Sequence, residues 1–166
     1  MSSQVKPVRS GEHTITPHLV VNGAQKAIDF YREAFGAEVK GVHKTPDGKI
    51  MHAELRVGDS IIMLADEFPG MGSCSSPQTL GGTSVTLNLY QENVDELFKR
   101  AVGAGATVTM PLADMFWGDR YGQVTDPFGH SWALGQHIEE VSPEELERRS
   151  REAFSQMTKK AKAAKG

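Results

Sequence analysis

Val21-Asn-Gly-Ala-Gln-Lys-Ala-Ile-Asp-Phe-Tyr-Arg-Glu-Ala-Phe-Gly36 is the stretch on which the fold reading turns. Ala27, Ile28, Tyr31, Ala34 and Phe35 fall on one side of a 3.6-residue period, so the segment predicts an amphipathic helix over about 23–35. Asn22 followed by Gln25 has capping-box spacing, and Gly36 offers a left-handed stop. Upstream, Ile15-Thr-Pro-His-Leu-Val-Val21 is rich in β-branched residues and reads as a strand. Downstream come a strand to about Lys44, the turn Thr45-Pro-Asp-Gly48, and strands over 50–57 and 60–65 joined at Gly58-Asp59. The order is βαβββ.

That order recurs. Thr83-Ser-Val-Thr-Leu-Asn-Leu-Tyr90 alternates polar and apolar, as a strand with one buried face does. Asn93-Val-Asp-Glu96 opens a helix over about 94–104 with Leu97, Phe98 and Ala101 on its apolar face, and Gly105 closes it. Tyr121-Gly-Gln-Val-Thr125 and His130-Ser-Trp-Ala-Leu134 stand where third and fourth strands belong. Asn22 and Asn93 are 71 residues apart, Gly36 and Gly105 are 69 apart, and a repeat of that length points to duplication. The expected fold is α+β: two βαβββ modules, about 14–67 and 83–140, forming one domain over 14–140. A Gly/Ser/Pro-rich linker spans 68–82. Residues 141–166 read as a C-terminal helix (about 143–160) with a basic tail of Lys159, Lys160, Lys162 and Lys165. Ser142-Pro-Glu-Glu145 caps it, and Leu146, Ala153, Phe154, Met157 and Ala161 mark one face.

Composition narrows the function classes. A net charge of −3 over 166 residues gives no electrostatic reason for a nucleic-acid partner, and no apolar run approaches the roughly 20 residues of a membrane span. No secretory leader is visible in residues 1–11, so the reading is cytoplasmic. One cysteine, Cys74, excludes an internal disulfide and reads as a loop cysteine, with a nucleophile as the less favoured alternative.

Two segments carry a family resemblance. The helix stretch with its Phe30-Tyr31 and Gly36, and Asp126-Pro-Phe-Gly-His-Ser-Trp132, resemble the module helix and final hairpin of the vicinal oxygen chelate superfamily of glyoxalases, bleomycin-resistance proteins and dioxygenases. Met115-Phe-Trp-Gly-Asp-Arg-Tyr-Gly122 is similar to its PhnB-like branch. The resemblance implies cupped sheets enclosing a cleft, commonly closed across a homodimer, with a divalent metal on His, Glu or Gln ligands from the first and last strands of each module. Carried over, those positions fall on Thr16, Ile62 or Met63, Ser84 or Thr86, and Ala133. No choice of register yields even two His or carboxylate ligands, so no metal and no other cofactor is expected.

Other residues remain as candidates. His52, Glu54 and Arg56 alternate with Ala53, Leu55 and Val57, which turns the polar trio to the cleft; His52 with Glu54 fits a general base or anchor, or a hydrogen-bonded pair without a role. His18 shares a strand side with Thr16 and reads as a wall residue that could contact ligand. Trp117 and Tyr121 offer flat surfaces, while Asp119 and Arg120 either bind substrate, Arg120 clamping an anion, or form a structural ion pair. Asp66-Glu67 reads as a solvated rim, and His137 as an exposed strand end. Two functions stay open: a small-molecule binding protein without the usual metal, or a metal-independent or atypically metal-dependent lyase, isomerase or dioxygenase-like enzyme. Both call for one small ligand between His52-Glu54 and the segment 117–121, in a homodimer.

Overall fold

The computed structural model describes residues 5–72 and 74–163, with side chains as far as Lys159. The first module comprises β1 (His18–Val21), α1 (Ala24–Phe35), β2 (Glu38–Lys44), β3 (Ile50–Val57) and β4 (Ser60–Asp66), in sheet order β1-β4-β3-β2. After α2 (Pro77–Leu80), the second module repeats the plan with β5 (Thr86–Tyr90), α3 (Val94–Gly103), β6 (Thr107–Asp114), β7 (Asp119–Thr125) and β8 (Ser131–His137), in order β5-β8-β7-β6. The helix α4 (Pro143–Ala163) ends the described chain. Both sheets are mixed: β1 runs parallel to β4 and β5 to β8, and the remaining pairs are antiparallel. This is the duplicated α+β fold that the sequence predicts.

Alternation sets the faces. Ala53, Leu55 and Val57 of β3 are buried on the side of α1, whereas His52 and Glu54 are half-buried and Arg56 is exposed on the other side. The helix α1 buries Ala27, Ile28, Tyr31, Ala34 and Phe35, and it packs on α3 as well as on its own sheet. Tyr31 and Phe35 also meet Trp132 of β8, with ring centroids 5.5 and 4.7 Å apart, so one core serves both modules.

The helix starts differ from the capping-box expectation. Gly23 and Asn93, both at positive φ (96° and 56°), are the N-caps, and neither helix has a side-chain cap of its own. The orphan amides are met from the end of each module's last strand. Asp66 Oδ1 accepts from the Gly23 and Ala24 amides (3.1 and 2.8 Å), and Gln136 Oε1 accepts from Val94 (3.1 Å). Asp66 is therefore not a solvated rim residue, and its other oxygen accepts from the Ile50 amide at 2.7 Å. Glu67 likewise accepts from the Ser76 and Thr79 hydroxyls (2.8 Å each), which fastens α2 inside the segment expected to be plain linker. Ser142 does cap α4, accepting from the Glu145 amide at 3.2 Å. The side chains of Lys160, Ala161 and Lys162, and Lys165 altogether, lie outside the described residues.

Candidate functional site

The side of each sheet turned away from its helix carries the polar chemistry. On the first sheet, strand pairing aligns His18, Met63 and Glu54 in one row and His43 beside His52 in the next. The His18 and His52 rings meet edge to face at 5.9 Å, and His52 Nε2 lies 3.4 Å from Glu54 Oε1. Burial, and then His52, hold the His18 imidazole below its ordinary pKa. Glu54 is held below the usual carboxylate range by His52 and by Arg9, whose guanidinium reaches it from the N-terminal arm at 2.9 Å. Glu54 is thus an ionised acceptor at neutral pH and a poor proton donor.

On the second sheet, the matching rows are Asn88, Ala133 and Gln123, then Tyr90, Gly135 and Tyr121. Ala133 holds in β8 the place that Met63 holds in β4, three residues before the capping Gln136 or Asp66. The Tyr90 ring lies against Gly135, where an added Cβ would come within 3.0 Å of it. Trp117 meets Tyr121 edge to face at 5.6 Å, and Gln123 Nε2 donates to the Tyr121 hydroxyl at 2.9 Å. Asp119 is buried and accepts from Tyr90 Oη (2.8 Å) and Trp117 Nε1 (3.0 Å), with His137 Nδ1 at 2.9 Å from its other oxygen. Burial alone would raise the Asp119 pKa, but His137, Tyr90 and Trp117 together hold it low. The Asp119 hydrogen bond in turn pushes the Tyr90 phenol up to about 12. The result is an aromatic-walled face with small residues on its floor and neutral amides at one end.

Arg120 does not join this face. It lies one residue out of phase with Asp119 and Tyr121, and its guanidinium is spent on Asp95 of α3 (2.7 and 2.8 Å) and on Asp114 (2.8 Å). The expected anion clamp is an ion-pair network instead, and Asp119 pairs with His137 rather than with Arg120. Nor is Asp119 free to meet a ligand, since its oxygens are taken by side-chain partners. Neither main groove brings His52-Glu54 and the 117–121 segment together. One, of about 750 Å³, runs between the β3–β4 turn, Pro17 and Ile61 on one side and Asn88, Tyr90 and Trp132 on the other. A second, of about 450 Å³, is lined by His18, Cys74, Pro77 and His130. His18 therefore faces two neighbourhoods: the His52 ring and this second groove. Tyr90, Asn88 and Gln123 are not among the sequence candidates, and His137, read as an exposed strand end, is half exposed but pairs with Asp119. The period-two pattern of Thr86-Leu-Asn-Leu-Tyr90 is the signal that finds the first two.

The residues do not fit the superfamily's usual divalent metal. Strand pairing sets His18 and Asn88, rather than the expected Thr16 and Thr86, beside Met63 and Ala133, so these four positions provide one imidazole and no carboxylate, and among the described residues no three His, Cys, Asp or Glu side chains converge on a metal-sized site.

Comparison with known proteins agrees with the fold. The model of the Glyoxalase/Bleomycin resistance protein/Dioxygenase superfamily matches residues 12–134. The uncharacterized protein Rv0887c of Mycobacterium tuberculosis is 50% identical over 138 residues, covering 82% of this chain and 81% of its own length. The crystal structure of TioX from Micromonospora sp. ML1 superposes with a TM-score of 0.61 at 30% identity, over 76% of this chain and 99% of that one. A PhnB protein from Bacillus cereus shares the fold at a TM-score of 0.56 and 21% identity, over 75% of this chain and 99% of its own.

Proposed function

The chain belongs to the glyoxalase/bleomycin resistance protein/dioxygenase superfamily, and from that premise we propose that it is a cytoplasmic, homodimeric small-molecule binding protein that works without the superfamily's usual metal. The ligand-binding unit is residues 14–140, with 141–166 as an appendage. One observation supports the reading: Met63 and Ala133 stand at equivalent places in β4 and β8, where the resemblance puts last-strand ligands, and the Ala133 face carries aromatic rings and neutral hydrogen-bonding groups. Tyr90, Trp117 and Tyr121 suit a flat ring, and Asn88 and Gln123 suit a polar edge of the same molecule. Tyr90 is 52% exposed, so a ligand held there needs a second surface, and a partner subunit supplies one.

The His52–Glu54 pair keeps a second reading, metal-independent acid–base catalysis, in view. The low pKa of Glu54 favours an anchoring role over proton donation.

Titration of the purified full chain with planar heteroaromatic probes such as indole and 2-naphthol, read by tryptophan quenching, tests the proposal. Binding should be unchanged by chelator or by added zinc, nickel or manganese. It should fall about tenfold or more in Tyr90→Ala read by calorimetry, and stay unchanged in Arg120→Ala. Binding that needs a stoichiometric divalent metal would overturn the reading; turnover lost in Glu54→Gln with affinity intact would favour the enzyme.

A further inference from the structure

We infer that the open face of the second sheet selects a neutral planar ring whose edge carries an N–H donor beside a C=O acceptor, as an aromatic lactam does. The inference rests on the ligand part of the proposed function and names the chemical class of that ligand.

Two rows of side chains make up this part of the face. Met110, Gln123, Ala133 and Asn88 form one, and Ala113, Tyr121, Gly135 and Tyr90 form the next. Ala133 and Gly135 leave a low floor, and the Tyr90 ring leans over Gly135. A flat ring laid against Tyr90 therefore turns its edge toward Tyr121 and Gln123 of β7. What that edge must carry follows from which polar groups of the face are already bonded.

Most of them are. Asp119 Oδ2 accepts from both the Tyr90 hydroxyl (2.8 Å) and the Trp117 N–H (3.0 Å), so one buried carboxylate oxygen fixes two rings and occupies their donors. Asp119 Oδ1 faces His137 Nδ1 at 2.9 Å, and His137 Nε2 lies 3.3 Å from Glu140. Arg120 is held by Asp95 and Asp114. The two rows themselves contain no charged residue, so an ionic ligand meets no free counter-charge there.

The exception is Tyr121 with Gln123. Gln123 Nε2 donates to the Tyr121 oxygen at 2.9 Å, and among the described residues nothing else bonds the Tyr121 hydroxyl proton or Gln123 Oε1. The pair therefore presents one free donor and one free acceptor side by side. Turning the amide over exchanges the two roles and again leaves one of each. A lactam edge answers both, because its C=O accepts and its N–H donates. A ketone, a lactone or a carboxylate answers only the donor and leaves the acceptor unpaired beneath the ring.

Calorimetry of the full chain with isoquinolin-1-one and with isocoumarin, which has oxygen in place of the N–H, tests this. The wild type should bind isoquinolin-1-one about tenfold or more tighter than isocoumarin. Gln123→Leu should bring the two within about twofold, and Gln123→Glu, whose carboxylate still accepts the N–H, should keep the preference. Equal affinity of the wild type for both probes, or a preference that survives Gln123→Leu, would overturn the lactam assignment. Indole binding in the same protein would then leave the proposed function standing. Failure of isoquinolin-1-one, isocoumarin and indole alike to bind would overturn both.

Discussion

The Tyr31 hydroxyl of α1 donates to Asp126 Oδ2 across 2.7 Å, joining the helix of one module to the turn before the last strand of the other. Asp126 is buried, and its carboxylate also accepts from Trp132 Nε1 (2.9 Å) and from the amides of Phe128 (2.9 Å) and His130 (3.0 Å). Burial, and then Asp126, raise the Tyr31 pKa well above its ordinary value, so the phenol stays a donor throughout the working pH range. The Phe-Tyr of the first signature segment and the Asp of the second are thus two ends of one bond.

Tyr31→Phe removes one of these donors and should cost about 1–2 kcal/mol in urea unfolding. Asp126→Ala strands the buried Tyr31 hydroxyl and the Trp132 N–H and should cost about 3 kcal/mol or more. In the Asp126→Ala background, Tyr31→Phe should then be nearly neutral. Equal costs of Tyr31→Phe in both backgrounds would show that the hydrogen bond is not what Tyr31 contributes.

Much of this architecture was legible because period and turn chemistry are local. The α1 stripe, the β3 alternation and the two glycine-terminated helices each follow from residues within a few positions of one another. The helix caps were not legible: Asp66 lies more than forty residues from the Gly23 and Ala24 amides it satisfies, and nothing local distinguishes it from a solvated rim carboxylate. At the site, alternation correctly turned His52 and Glu54 away from the core. It also contained the answer for Arg120, because neighbours on a strand face opposite ways and Arg120 lies between Asp119 and Tyr121. Reading 117–121 as one polar-aromatic cluster overlooked that period. The partners of Arg120, Asp95 and Asp114, come from two other elements and belong to tertiary structure.

Gly118 gives a second test. Its φ is +95°, and an added Cβ would lie 2.2 Å from the Glu139 carbonyl oxygen and 3.0 Å from Val141 Cγ2. The Gly118 carbonyl also accepts from the Ile138 and Glu139 amides at 2.9 and 3.0 Å, which fixes the chain leading into α4. Gly118→Ala must therefore both strain the backbone and push this segment away, at a cost of at least about 2 kcal/mol. Gly23, at φ +96° with open space around its missing Cβ, should cost only about 1 kcal/mol on the same change. Thermal unfolding of the two variants side by side separates clash from strain, and equal losses would refute the steric account.

The His137–Asp119 pair predicts a pH dependence whose sign follows from its partners. Asp119, 2.9 Å from Nδ1, raises the His137 pKa above 6.5, with Glu140 adding to the effect. The folded chain therefore keeps a proton that the unfolded chain releases first. That contribution is complete below 6.5 and is lost as pH rises through the folded value. For Asp119 the sign is reversed: its lowered pKa stabilises the fold above the unfolded carboxylate value of roughly 3.9 and is lost as pH falls. The pair should contribute most between about 4 and 6.5, and the fold should weaken from there toward mildly alkaline pH. Asp119→Asn removes the charge, so the His137 midpoint in an NMR titration should fall toward the ordinary imidazole value. The decline in stability on the alkaline side should flatten with it. A His137 midpoint that is the same in both proteins would show that Asp119 does not hold the proton there.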